Sequence, residues 1–303
     1  MSALVALIMR GRSHAMTASA LSAALSLLFP PLSYASGAVI GLATLKHGPR
    51  EGLWIIAGSV PLAALFAVLM LGTATPALAF LGMTWLPAWL MAVVLGFSRS
   101  QGMAVVVATG LGIVAVLVMH VIVDDPVGWW RHLLAEFFAP AMRGAQAPEV
   151  AQLNALIDAW APRMTRIFGA VSVVGLVATL LISRYWHAML DNPGGFGREF
   201  RELRVGTPAI GVGVVVAVAA WLFSEGPGDL ASDLLGPLSV MLVFQGLAVV
   251  HSIASRRKLS MGWLVAMYVL LLVPPHIALP ALAMTGVVDG LMNLRARAAG
   301  NES

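Results

Sequence analysis

The chain has 303 residues, 59% of them hydrophobic and 11% charged, with a formal net charge of +4. Soluble domains carry about 25% charged residues, so this composition excludes an ordinary water-soluble globule. Cysteine is absent, which excludes a disulfide framework, a thiolate metal site and a thiol nucleophile.

Apolar runs recur from end to end, and the expected fold class is all-α: a polytopic transmembrane helical bundle of about eight to ten membrane helices. Residues 1–303 are read as one integral membrane domain. The first run, Met16 to Leu45, is divided by Pro30-Pro31. Tandem proline removes backbone donors and stops a helix at the preceding residue. Each arm is then about 13 residues, roughly 20 Å, against a hydrocarbon core of ~30 Å. A short or re-entrant hairpin is expected. Arg10, Arg12 and the small residues from Ala35 to Gly37 also fit a signal peptide, but the run resumes beyond Pro31, which favours a retained membrane segment.

Spans are expected at Gly52 to Leu71, Ala77 to Phe97, Gly102 to Val123, Ile167 to Leu190, Ala209 to Phe223 and Leu234 to Ala254. The connections holding Lys46 and Arg50, Arg99, Arg184 through Arg204, and Arg256 to Lys258 are basic, and the positive-inside rule makes them cytoplasmic. The alternate connections are Thr73 to Pro76, Asp124 to Arg166, and the turn carrying Glu225 and Asp229; they are expected outside. Basic residues confined to such loops indicate orientation rather than a nucleic-acid partner.

Residues 124–163 are read as an outward-facing amphipathic interfacial segment. Pro126 is a good helix start, and Trp129, Trp130, Leu133, Leu134, Phe137 and Phe138 share one helical side, predicting an interfacial helix from about Pro126 to Met142. Val150, Leu153, Leu156, Ile157 and Trp160 form a second amphipathic piece. The two either rest on headgroups or cap a cavity from outside.

A last run, Trp263 to Met292, is divided by Pro274-Pro275, so a second hairpin is expected. The two Pro-Pro hairpins record either an internal duplication or two unrelated turns. Basic residues flank both (Arg10 and Arg12 with Lys46; Arg257 with Arg295 and Arg297), which returns both termini to the cytoplasmic side of a bacterial inner membrane.

Ionisable groups inside spans are costly and so are default functional candidates. His120 precedes Asp124 by four residues, and His187 precedes Asp191 by four; either pair has the spacing to relay a proton, though two ligands do not specify a metal. Gln245 and His251 share a span, and Asp289 lies near the end of the last helix within reach of Arg295 or Arg204. Gln245, His251, His120 and Asp289 are the candidate solute-binding residues. No phosphate loop, GxSxG elbow or HExxH occurs, so neither an enzyme nor a cofactor is expected.

Asn192-Pro-Gly-Gly-Phe followed by Arg198-Glu-Phe-Arg-Glu-Leu-Arg204, then Phe244-Gln-Gly-Leu-Ala-Val-Val-His251, then Gly286-Val-Val-Asp289 resemble, in order and spacing, the YybS-like family of bacterial membrane proteins. That family is distantly similar to the substrate-binding S components of energy-coupling-factor vitamin transporters. Those carry an Ala-x-Ala-x-x-x-Ala face for docking a coupling subunit, and Ala18, Ala20 and Ala24 fit it; small residues also pack ordinary membrane helices. The YybS-like family has no established biochemical role; the broken terminal hairpins, an outer cap and polar groups such as Gln245 and His251 motivate a small-solute carrier or substrate-capture subunit, and the distant likeness to S components implies a coupling partner. The alternative is a non-transporting membrane organiser that binds envelope proteins through the basic segment Arg198, Arg201 and Arg204. A polar-lined cavity near the midplane discriminates the two.

Overall fold

The structure is a computed structural model and describes residues 2–226 and 228–296. Arg297 and the rest of the C terminus lie outside the described residues. In chain order the helices are α1 (Ser2–Ile8), α2 (Arg12–Leu25), α3 (Leu32–His47), α4 (Pro49–Leu71), α5 (Thr75–Phe80), α6 (Leu86–Ser98), α7 (Gln101–Ile122), α8 (Pro126–Met142), α9 (Ala147–Trp160), α10 (Met164–Asp191), α11 (Gly195–Glu202), α12 (Thr207–Phe223), α13 (Leu230–Arg256), α14 (Met261–Leu272) and α15 (Pro275–Met292). Among the described residues there is no β-strand. Six helical segments are long and apolar enough to cross a membrane: Pro49–Leu71, Thr75–Ser98, Gln101–Ile122, Ala147–Asp191, Leu230–Arg256 and Pro275–Met292. Large apolar side chains such as Trp221, Phe97 and Val121 are exposed around the bundle, where only lipid can cover them. The protein is an all-α polytopic membrane bundle.

Proline and glycine punctuate it. Proline occupies the first turn of α4, α8, α9, α12 and α15, where its missing N–H is no loss. Gly72, at φ 74°, closes α4 in the left-handed conformation that glycine adopts without strain. Both Pro-Pro breaks form as expected, between α2 and α3 and between α14 and α15.

The first hairpin is held by hydroxyls: Ser36 Oγ donates to the Ser19 carbonyl at 2.8 Å, and Trp85 Nε1 donates to Ser36 Oγ at 2.9 Å. Arg12 forks onto Glu51 with two bonds of 2.7 Å, and this hydrogen bonding raises the guanidinium pKa above its ordinary value. The hairpin tip at Leu27 packs beside Ala67, Pro76 and Phe80, near the far end of α4. The arms are short for spans, yet together with the tip they cover most of the depth of α4.

Two of the expected spans differ in detail. α12 has 17 residues, about 25 Å, and reaches spanning length only together with α11, to which it is bent by 53°. The break falls at Leu203–Gly206, where Leu203 and Val205 are buried. Buried backbone outside a helix must find a partner within the protein, and here the Val205 N–H donates to Gln245 Oε1 at 2.9 Å. The second expected span is interrupted by a π-helical turn, Leu81–Trp85, between α5 and α6. Pro87 cannot donate to the Met83 carbonyl and would clash with it in a regular helix. The turn widens instead, and the Leu86 N–H bonds Leu81 O, five residues back.

α7, α10 and α13 form the centre of the bundle. Gly112, Gly169 and Gly236 bring their backbones together: a Cβ on Gly236 would strike the Arg166 carbonyl, and one on Gly169 would lie 2.6 Å from Val116. Gly246 and Gly286 do the same between α13 and α15, the small-residue contact that membrane helices use for close approach. α8 begins at Pro126 and ends at Met142, as expected. Its Trp130, however, turns into the bundle, donating Nε1 to Thr165 Oγ1 at 3.0 Å, while Phe137 is exposed. The helix is therefore anchored at its start rather than along one uniform apolar face.

Candidate functional site

A cavity of about 390 Å³ opens between the start of α3, the π-helical turn, α7 and α10. Its polar lining is Ser33, Tyr34, Thr84, Ser172 and Thr179; Leu111, Val118 and Phe168 supply apolar wall, and no lining residue is charged. Three local features build it. Pro30-Pro31 starts α3 so that Tyr34 faces Gly175, whose missing side chain leaves room for the ring; a Cβ there would lie 3.3 Å from it. The wide turn before Pro87 carries Gly82 and Thr84 to the rim. Ser172 donates back to the Phe168 carbonyl at 2.8 Å, satisfying its proton while its oxygen can still accept. Among the described residues the Tyr34 and Thr84 hydroxyls have no hydrogen-bond partner, so both are free for a guest. Leu111 lies at mid-length of α7 and Phe168 one turn into α10, which sets the cavity between the midplane and the end of the bundle that bears α8.

A second polar cluster joins α7, α10 and α13 at that same end. His120 Nε2 lies 3.0 Å from Asp233 Oδ2, and Asp233 is fully buried. Among the described residues Asp233 Oδ1 and Arg166 Nε have no hydrogen-bond partner. The expected relation of His120 to Asp124 is therefore replaced: Asp124 is exposed, and a residue of α13, remote in sequence, takes its place. His187 does lie 3.5 Å from Asp191, and Asp191 also accepts from Lys46 at 3.0 Å.

The residues expected to bind solute do not converge. Gln245 is buried with both ends used, Oε1 by Val205 and Nε2 by the Gly286 carbonyl at 3.0 Å; it ties the broken α11–α12 segment to α13 and α15 and does not line the cavity described above. His251 Nδ1 lies 2.8 Å from the Leu247 carbonyl, and its Nε2 lies 3.3 Å from the Tyr268 hydroxyl. Asp289 is held by Arg295, 2.7 Å from Nη2. None of Gln245, His251, His120 and Asp289 lines the cavity. Of the proposed docking face, Ala20 is fully buried against the bundle while Ala18 and Ala24 are half-buried, so the three do not form one exposed surface. Arg204 donates to Asn293 at 2.7 Å; Arg198 and Arg201 line a small pocket with α13.

Sequence reasoning missed Tyr34 and Thr84 because it ranked charge above hydroxyls. A usable signal was present: Pro87 inside an otherwise apolar span, five residues after Gly82, marks a widened turn.

A helical membrane bundle with an uncharged amphipathic cavity is thus the class of protein the fold and site define. Residues 142–290 match the model of a family described as predicted membrane protein (DUF2232). That stretch contains all three motifs noted above, from Asn192 to Arg204, from Phe244 to His251 and from Gly286 to Asp289. No curated protein and no solved structure matches the chain.

Proposed function

We propose that the protein is a carrier or substrate-capture subunit for a small, uncharged amphipathic solute, seated in the bacterial cytoplasmic membrane with its basic loops inside. The observation that carries this reading is the cavity. At about 390 Å³ it falls within the roughly 300–1,000 Å³ of ligand sites, which are mostly apolar with a few placed polar groups. Free hydroxyls on Tyr34 and Thr84 orient a solute without demanding charge. A charged solute would lose its hydration there with no counter-ion in return. The broken α11–α12 segment and the Pro-split hairpins are also features of transporter folds. The resemblance to the YybS-like family, and through it to S components, points the same way.

The test is a melting-temperature screen of the purified protein against uncharged amphipathic compounds, repeated on Gly175→Leu, which fills the cavity beside Tyr34. A ligand at 100 times its Kd raises stability by about 2.7 kcal/mol. Compounds that stabilise the wild type and not Gly175→Leu support the reading. If no compound stabilises the wild type, or if Gly175→Leu responds equally, the cavity is not a solute site and the organiser reading gains.

A further inference from the structure

At the end of the bundle opposite α8, α11 lies across α13. Its aromatic face is turned to the bundle: Phe196 meets Tyr185 edge-on at 5.7 Å, and Phe200 meets His251 edge-on at 5.4 Å. This fixes the roll of the helix, so that Arg198 and Arg201, one turn apart, line a pocket of about 110 Å³ with Ser252, Ser255 and Arg256 of α13. Glu202 also borders it. Three arginines and one glutamate therefore line it.

Three basic residues on this end are neutralised: Lys46 pairs with Asp191, Arg184 with Glu199, and Arg295 with Asp289. Arg198, Arg201 and Arg256, like Arg257 and Lys258 beside them, form no ion pair among the described residues; what sets the three apart is that they line one pocket. Ser252 is only 4% exposed, lines the pocket, and its hydroxyl has no hydrogen-bond partner among the described residues. A buried donor left open beside three unneutralised guanidinium groups is the donor set of an oxyanion site, since arginine forks match tetrahedral phosphate oxygens.

We infer that this pocket binds a phosphate group, supplied either by the headgroup of an anionic phospholipid or by soluble phosphate. The volume admits one phosphate and little more. Its place where α11 turns into α12 puts it at headgroup level, where basic pockets between membrane helices hold anionic lipid. The guanidinium groups donate to the phosphate oxygens and Ser252 Oγ adds a short-range donor from below. The site stands at the opposite end of the bundle from the cavity and does not depend on what the cavity binds.

The test uses the full-length protein in phosphatidylcholine nanodiscs, with and without phosphatidylglycerol, reading retained phosphatidylglycerol by native mass spectrometry and melting temperature in parallel. Inorganic phosphate in phosphatidylcholine alone forms the second arm. Wild type should retain phosphatidylglycerol, or be stabilised by inorganic phosphate, and the responding arm names the source. Arg201→Gln and Arg256→Gln should each weaken that response about fivefold, while Arg131→Gln at the other end leaves it unchanged. Ser252→Ala keeps every charge and should weaken it too; this separates a built site from general attraction to a basic surface. Melting in pure phosphatidylcholine checks that the variants fold. The inference is overturned if neither arm responds in the wild type, or if Arg201→Gln, Arg256→Gln and Ser252→Ala all respond as the wild type does.

Discussion

Arg295 folds back onto Asp289, six residues earlier: its Nη2 lies 2.7 Å and its Nε 3.1 Å from Asp289 Oδ2, and its Nη1 donates to the Arg201 carbonyl at 2.9 Å. Both side chains are almost fully buried. One guanidinium thus neutralises a carboxylate inside the bundle and fastens the end of α15 to α11. Removing one partner of such a pair strands the other charge, whereas removing both need not.

Asp289→Asn is therefore expected to destabilise the protein by about 3 kcal/mol or more, seen as a lower melting temperature in detergent. Asp289→Leu combined with Arg295→Met should recover a large part of that loss. Equal melting of wild type and Asp289→Asn would show that the pair contributes nothing to the fold.

The glycine contacts make opposite predictions at two sites. A Cβ on Gly246 would strike the Leu282 carbonyl, a backbone atom that cannot move aside, whereas one on Gly110 meets nothing within 4 Å. Gly246→Ala should cost about 1–3 kcal/mol; Gly110→Ala should be neutral or stabilising by up to about 1 kcal/mol, the helix-propensity difference. Melting temperatures of the two variants, side by side, check the close approach of α13 and α15.

Orientation is open to direct labelling because the chain contains no cysteine. Cysteines introduced singly at Glu225 and at Lys258 lie at opposite ends of α13. In intact cells an impermeant thiol reagent is expected to label Glu225→Cys and spare Lys258→Cys, as the basic loop predicts. Labelling of Lys258→Cys alone would invert the protein in the membrane.

The architecture was largely legible because lipid imposes strong rules on sequence. Long apolar runs mark α4, α7, α10 and α13 to within four residues at each end, the Pro126 start marks α8, and the Pro-Pro breaks mark the two terminal hairpins. The candidate site was not legible, for two physical reasons. Charged groups attract attention in apolar segments, yet Asp289 and Gln245 proved to be occupied by Arg295 and by the backbone of the broken helix. The cavity depends instead on shape, on a π-helical turn at Pro87 and on the space left by Gly175, and its polar groups are hydroxyls with no periodic signature. The partner of His120 was also hidden, since Asp233 is 113 residues away and only helix packing brings them together.

Whether water and small solutes reach the cavity is the question on which the carrier reading turns, and Ser172→Cys asks it most directly. Val215, 67% exposed at the middle of α12, supplies a lipid-facing control as Val215→Cys. An impermeant, water-soluble thiol reagent applied from the Asp229 side should label Ser172→Cys, leave Val215→Cys unlabelled, and lose access to Ser172→Cys when Gly175→Leu fills the space. Labelling of Ser172→Cys only by a lipid-soluble reagent, at the rate of Val215→Cys, would mean that the cavity is filled by lipid and would contradict the account.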